Sequence, residues 1–560
     1  MSVETPDVLA EAKSVRARVF LKGEGQGARL TARLLDPEGR EVARAEVTAE
    51  GLEAQVALDG LAGIRLWGPD DPALYVLDLA LSSEAGEDSL ATRFGFREAR
   101  WTPEGFVLNG QPLKVMGLNR HQSFPYSGYA QGRTSQRRDA EILKNDLGCN
   151  LARTSHYPQS RHFLDACDEI GLLVFEEIPG WQHIGGAGWK AETVENVRRM
   201  IERDWNRPSV VIWGVRINES QDDHDLYAET NRLARELDPT RATGGVRFIT
   251  DSELLEDVYT MNDFILGDFE NPLSNRPRTA LRPRAETTGL KRPVPYLITE
   301  YNGHMFPTKA GDQEQRQAEH VTRHLDVLNA AFGDPEVSGC IGWCFFDYNT
   351  HKDFGSGDRI CHHGVSTIFR EPKFAAHAYA SQQDPGRKVV LEPVTVFARG
   401  ERNIGGVLPL IVLTNCEEVE FRYGSSLVKR VGPDRERFPH LPHPPVIIDH
   451  RHFSADEMGL WGMSWEEAEV VGLIGGAVAA RRRYVPDPLP TTLEVAPDAL
   501  ALDAEARDEV RVIVRALDQA GNVLPFLASG VKPEDYNQLW MGSPVLEKAV
   551  GIELYMRHGS

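Results

Sequence analysis

Cysteine is scarce in this chain. The six residues Cys149, Cys167, Cys340, Cys344, Cys361 and Cys416 are spread over 560 positions and sit mostly in strand- or helix-like runs, which excludes a disulfide framework and points to reduced thiols. Cys340 and Cys344 share one apolar run, whereas zinc-binding pairs lie in turns, so no metal is expected there. No stretch of about 18 uncharged apolar residues is present to span a bilayer, and the start, Met-Ser-Val-Glu-Thr-Pro-Asp, lacks the basic and apolar segments of a secretory signal. A cytoplasmic chain with no membrane partner is expected. Basic charge is in deficit: 62 Lys and Arg face 83 Asp and Glu, a net −21. Such a surface repels phosphate backbones and anionic lipid, so a nucleic-acid partner is not expected and a neutral substrate fits better than a polyanion. The basic stretch 276–284 is a Pro-rich loop, read as solvated or as a subunit contact. The glycines of Gly185-Gly-Ala-Gly188 lack the spacing of a phosphate-cradling loop, so no nucleotide cofactor is indicated.

What is there is ordinary globular material, 41% apolar and 26% charged, in a chain long enough for three or four domains, with room for a barrel of about 250 residues. Residues 14–98 alternate apolar and polar positions between turn signals (Asp36-Pro-Glu-Gly, Gly68-Pro-Asp-Asp, Glu84-Ala-Gly-Glu), the pattern of a small β-sandwich. From about 105 the pattern changes. Strand candidates at 113–118, 149–154, 171–177, 209–217, 242–246, 257–261, 294–299 and 338–345 alternate with helical stretches such as 136–147, 160–170 and 312–332, which describes a (β/α)8 barrel. After about 383, alternating runs at 407–414, 472–480 and 509–517 suggest further β domains, and the segment from 529 fits no pattern. The expected organisation is a sandwich over 1–104, a barrel over 105–385 and C-terminal β-rich material over 386–560.

Two short strings carry the chemistry. Trp213-Gly-Val-Arg-Ile-Asn-Glu219-Ser and Tyr296-Leu-Ile-Thr-Glu300-Tyr each end an apolar strand-forming run with a carboxylate. Hydrolysis of a sugar acetal with retention needs two carboxyl groups about 5–5.5 Å apart. Two strands of one barrel can supply them at the C-terminal end, where such barrels place their active sites.

Nine ordered strings then resemble glycoside hydrolase family 2, which contains β-galactosidases, β-glucuronidases and β-mannosidases. They are Phe94-Gly-Phe-Arg, Leu108-Asn-Gly, Gly117-Leu-Asn-Arg-His, Arg153-Thr-Ser-His-Tyr-Pro, Asp168-Glu-Ile-Gly-Leu-Leu-Val, Arg203-Asp-Trp-Asn-Arg-Pro-Ser-Val, Asn218-Glu219, Thr299-Glu-Tyr and Arg370-Glu-Pro-Lys. The resemblance implies an immunoglobulin-like sandwich before the barrel, Glu219 as general acid/base, Glu300 as nucleophile and Asn218 as the contact to the sugar 2-hydroxyl. It further implies sugar-hydroxyl contacts at His121 and His156 and a platform at Trp343. Arg120, Arg153 and Asp353 are candidates for orienting the glutamates or touching sugar, with a structural ion pair as the rival. Glu176, Glu177, Trp181 and His304 are candidates for the pocket border.

The departures from the pattern narrow the substrate. Family β-glucuronidases hold the substrate carboxylate with an Asn-Lys pair where this chain reads Cys361-His362-His363-Gly364, so a neutral sugar is favoured. The string from Asp347 to Cys361 resembles a β-galactosidase branch. A magnesium-ligating Glu, two residues before a His after the third strand in some members, is here Trp181-Gln-His183, and Trp cannot ligate a hard cation. A tyrosine that commonly supports the nucleophile is replaced by Asn262, with Tyr259 and Phe264 nearby. Family members normally begin with a jelly-roll domain, and this chain starts after it; a truncated gene, a natural short form or a partner polypeptide are the alternatives, and a homo-oligomer would supply the missing wall. The leading expectation is a retaining exo-β-galactosidase that requires no cofactor and is metal-independent or only weakly metal-assisted. The rivals are a glycosidase for another neutral sugar or an algal galacto-oligosaccharide, and a noncatalytic carbohydrate-binding or scaffold protein.

Overall fold

The computed structural model describes residues 1–23, 27–267, 279–350, 357–398, 407–425, 427–454, 456–457, 465–503 and 508–524. The chain divides into two compact units, one of 1–129, 139–307 and 323–370, the other of 130–138, 308–322 and 371–560.

The first unit opens with two antiparallel sheets. Ser2–Glu4, Lys13–Phe20 and Glu53–Leu61 form one; Glu41–Thr48, Arg29–Leu35, Tyr75–Ser83 and Gly86–Phe94 form the other. Alternation places Val15, Ala17 and Val19 of one sheet with Leu30, Ala32 and Leu34 of the other in a single core. The turn signals are where the sequence put them. Asp36 closes one hairpin by accepting from the backbone N–H of Glu38 (3.0 Å) and Arg40 (2.9 Å). The strand Ser2–Glu4 lies before the expected start at 14; it pairs with Arg16–Arg18, and three residues are too few for alternation to show.

Eight parallel strands close a barrel in chain order: β1 (Val115–Arg120), β2 (Leu151–Thr154), β3 (Leu173–Glu177), β4 (Val210–Gly214), β5 (Ala242–Arg247), β6 (Val258–Asn262), β7 (Tyr296–Glu300) and β8 (Gly339–Gly342), with β1 also paired to β8. All eight expected strands are present, and β2, β3, β4, β6, β7 and β8 are buried at every position, which is why they read as apolar runs without alternation. Crossover helices include α1 (Arg161–Ile170), α2 (Ala187–Asp204) and α3 (His224–Leu237). Ser160 caps α1 through His162 N–H (3.2 Å) and Asp223 caps α3 through Leu226 N–H (3.2 Å).

The barrel's N-terminal end is sealed. The hairpin Ala99–Thr102/Gly105–Leu108 carries Phe106 and Leu108 into one core with Val115, Leu151, Leu173 and Val211. Trp67 of the preceding loop is fully buried in the same core and donates to Asp168 O (2.8 Å), while Arg97 donates to Pro208 O (2.8 Å).

In the second unit, Leu391–Pro393, Leu410–Thr414 and Val446–Ile448 form one sheet, and Leu427–Val431, Glu418–Tyr423, Ala468–Ile474 and Ala477–Tyr484 the other, around a core with Val412, Phe421 and Val470. The expected single run at 472–480 is corrected: it is a hairpin whose two-residue turn, Gly475-Gly476, has φ of +58° and +76°, the left-handed pair that a tight hairpin requires. A further hairpin joins Thr492–Pro497 to Val512–Leu517. All six cysteines are free and buried. Among the described residues, no helix is long and apolar enough to cross a membrane.

Candidate active site

The C-terminal ends of the barrel strands surround a cavity of about 570 Å³. Glu300, the last residue of β7, and Glu219, just past β4, both line it.

Arg153 on β2 organises one side. Its guanidinium is fully buried and donates to Glu300 Oε1 (2.7 Å), Asn218 Oδ1 (2.8 Å), Asn119 Oδ1 (2.8 Å) and both oxygens of Glu177 (2.8 and 2.9 Å). Asn119 is itself fixed by donating to Thr299 O (2.8 Å) and Gly342 O (3.1 Å), so one amide ties β1 to the ends of β7 and β8. Glu300 is 4% exposed. Burial pushes its carboxyl up to about 8; Arg153 pulls the other way, and the charge of Glu219 adds to the rise.

Glu219 stands in a different setting. It is half-buried, with φ +54°, and its N–H donates to Val246 O (3.0 Å). Asn262 Nδ2 donates to Oε1 (3.0 Å), and Trp181 Nε1 (3.0 Å) and Gln182 Nε2 (3.2 Å) donate to Oε2. Asn262, which stands in place of the expected tyrosine, therefore supports Glu219, and Arg153 holds Glu300. Asn218 is 2% exposed, and its Nδ2 is buried without a partner. An unsatisfied donor at the pocket wall is a group awaiting an acceptor.

The remaining wall is aromatic. The His156 ring stacks on Trp343 (5.4 Å, 6°), and its Nδ1 lies 2.9 Å from Glu177 Oε1. His121 stands edge-on to Trp343 (5.3 Å) and 4.4 Å from Tyr348. Burial lowers the pKa of both histidines, that of His121 well below its ordinary value; each ring is neutral at pH 7, and with Nδ1 engaged by Glu177 in His156 and by Tyr157 in His121 it is Nε2 that can meet a sugar hydroxyl. His304 lines the pocket beside Phe264 (4.3 Å), and Trp343 donates to His363 Nδ1 (3.3 Å).

The cavity thus gathers Glu219, Glu300, Asn218, His121, His156, Trp343 and His304. Arg120 takes the ion-pair alternative. It is fully buried outside the pocket, bonded to Asp139 Oδ2 through Nε (3.0 Å) and NH2 (2.7 Å), with Arg370 on the same carboxylate (3.0 Å). Against burial, the two guanidiniums hold Asp139 down to about 2. This is a structural ion cluster. Glu176 likewise faces away, buried against Arg203 (2.8 Å), while its neighbour Glu177 reaches Arg153. Asp353 lies outside the described residues. Tyr348, His363, Phe248 and Arg282 also line the pocket; Phe248 follows the end of β5 directly, so an aromatic at a strand end was the available signal for it, and Arg282 had none.

The family-type magnesium site does not fit these residues. At the Glu position, Trp181 points an N–H at Glu219; His183 is exposed, packs on Trp189 (5.7 Å) and is not among the pocket-lining residues. No cluster of three potential ligands occurs among the described residues.

A family model described as "Glycosyl hydrolases family 2, TIM barrel domain" matches residues 100–385, and a second, "Glycosyl hydrolases family 2", matches 3–97. A β-galactosidase of Rhizobium meliloti is 56% identical over 544 residues, covering 95% of this chain and 72% of that one. A β-galactosidase of Thermoanaerobacterium thermosulfurigenes is 49% identical over 543 residues, covering 95% and 75%. Among solved structures, a β-glycosidase from Bacteroides vulgatus matches 93% of this chain and 69% of its own, with a TM-score of 0.73 at 20% identity, a likeness of fold.

Proposed function

Because the chain belongs to glycosyl hydrolases family 2, we propose that it is a retaining exo-β-galactosidase in which Glu219 is the general acid/base and Glu300 the nucleophile. The observation that carries the assignment of roles is the asymmetric pair itself: one carboxylate held by a guanidinium, the other by three neutral N–H donors, both opening on one cavity. Arginine favours the ionised form that attacks; neutral donors tolerate the form that carries a proton.

In the first step the Glu300 carboxylate attacks the anomeric carbon while Glu219 passes its proton to the departing glycosidic oxygen, giving a glycosyl ester and a free alcohol. Water then enters, Glu219 takes its proton, and the hydroxyl displaces Glu300 with a second inversion. The free Nδ2 of Asn218 is available to the 2-hydroxyl, a bond that strengthens as the oxocarbenium-like state forms. Trp343 offers its face to the apolar side of the sugar.

Galactose as the sugar is supported by the two β-galactosidase relatives and by the string from Asp347 to Cys361. A neutral sugar is supported further by the described lining, which contains no lysine; its arginine, Arg282, lies 3.7 Å from Asp263. We read the reaction as metal-independent, so EDTA should leave the rate unchanged. A cytoplasmic setting suits six free thiols, and association into a homo-oligomer completes the reading, to be measured by light scattering. The deciding experiment sets aryl β-galactoside, glucuronide, mannoside and glucoside side by side. Galactoside should be turned over fastest; a faster glucuronide or mannoside would move the sugar assignment, and sugar binding without aryl release would favour a noncatalytic binder.

A further inference from the structure

The loop that follows β3 is stitched onto the segment carrying Asn218 and Glu219. Trp181 and Asn218 form an isolated parallel bridge, and Gln182 N–H donates to Asn218 O (2.7 Å). Gly180 permits the approach: its φ is +149°, and a Cβ there would lie 2.6 Å from Ile217 Cδ1. The consequence is that a tryptophan 45% exposed, on a loop, places its indole N–H 3.0 Å from Glu219 Oε2.

Resting on the acid/base role of Glu219, we propose that Trp181 is a positioning residue for that carboxyl group, and that its N–H supplies, by hydrogen bonding, the restraint that a cation would otherwise exert on Glu219. The donor count has a further consequence. Each carboxylate oxygen has about two acceptor sites. Trp181 and Gln182 fill both on Oε2, and Asn262 fills one on Oε1, so the transferable proton rides on the remaining site of Oε1. As it leaves for the glycosidic oxygen, negative charge develops on Glu219, and an N–H already aimed at Oε2 is worth more at that moment than before it.

This role depends on the leaving group, which separates it from simple support of the loop. An alkyl or sugar aglycone needs the proton; a dinitrophenolate does not. In Trp181→Phe, which keeps a ring and removes the N–H, kcat/KM for methyl β-galactoside should fall on the order of 10- to 100-fold, within the range general acid catalysis supplies, while kcat/KM for 2,4-dinitrophenyl β-galactoside stays within about twofold. Equal losses on both substrates, or no loss on either, would overturn the proposal. A readout independent of turnover uses protein labelled with 15N at indole nitrogens. The Nε1–H resonance missing from Trp181→Phe should move in Glu219→Ala; a resonance that does not move also overturns it. A wild-type protein that cleaves no glycoside would sink the functional reading instead, and the resonance would still decide whether Trp181 holds Glu219.

Discussion

The two ends of the barrel are built from the same kinds of residue to opposite purposes. At the N-terminal end, Asp168 accepts from Ser209 N (3.1 Å), Ser209 Oγ (2.6 Å) and Arg207 NH1 (3.0 Å), and Trp67 and Arg97 close onto main-chain carbonyls. At the C-terminal end, Asn218 Nδ2 and both amide atoms of Asn302 are buried without partners, and Glu219 and Asn302 have φ of +54° and +64°. Paired groups such as Asp168 stabilise the sealed end, where Ser338 Oγ is a buried exception; unsatisfied groups and backbone strain at the other end cost stability and persist where a ligand completes them. The family-like strings divide along the same line. Asp168-Glu-Ile-Gly and Arg203-Asp-Trp-Asn-Arg-Pro-Ser belong to the sealed end, while Arg153-Thr-Ser-His and Asn218-Glu belong to the open one.

The largest test of this division is Glu300→Gln, which should lower kcat on the order of 10⁶-fold, as removal of a nucleophile does elsewhere, without unfolding the protein. Its stability effect has a definite sign. Glu300 in the folded chain is raised to about 8, so the wild type loses stability as pH climbs from the ordinary carboxylate range through 8, and the amide does not. The variant should therefore melt higher than wild type at pH 9, with the gap closing below about pH 5. Asp168→Ala is the mirror experiment. It strips Arg207 of a buried partner and should cost about 3 kcal/mol of folding stability in urea titration, with kcat of the folded fraction unchanged. A drop in kcat there would mean that the sealed end reaches the chemistry. Asn218→Ala comes next, with kcat/KM down about 100-fold on galactosides and little change in melting. A 2-deoxygalactoside should narrow that gap, because it lacks the hydroxyl the amide meets.

The barrel was legible because its strands are buried on both faces and their apolar runs are bounded by turns; the expected starts run about two residues early at β1, β2, β3 and β7. Glu300 and Glu219 were legible because each follows such a run. The two candidates that turn away from the pocket, Arg120 and Glu176, share one cause: adjacent strand residues point to opposite faces. Asn119 faces the pocket network and Arg120 the ion cluster behind it; Glu177 faces Arg153 and Glu176 faces Arg203. A motif that names both neighbours does not say which points inward. The contact of Trp181 with Glu219 was hidden for another reason, since it depends on a loop pairing with the next strand's exit, a contact that no local pattern encodes. The Gly475-Gly476 turn was available in the sequence, but alternation on both sides of it disguised two strands as one.

The smallest predicted effect sharpens the contrast between the two glutamates. Burial opposes ionisation of Glu300 and Arg153 favours it, and with burial prevailing the pKa stands at about 8. The nucleophile must be ionised, so activity is lost as pH falls below 8 instead of below the ordinary carboxylate range. With the carboxyl pushed up to about 8, kcat/KM at pH 7 should lie about tenfold under its plateau. Burial lowers His121 and His156, so neither titrates in that window. Measured with an activated aryl galactoside, the acid limb of kcat/KM should fall near 8 and move higher in Arg153→Met, where the opposing cation is gone. A limb in the ordinary carboxylate range would mean that Arg153 outweighs burial. The open end of the barrel would then hold its nucleophile ionised by the same kind of guanidinium contact that holds Asp139 down to about 2.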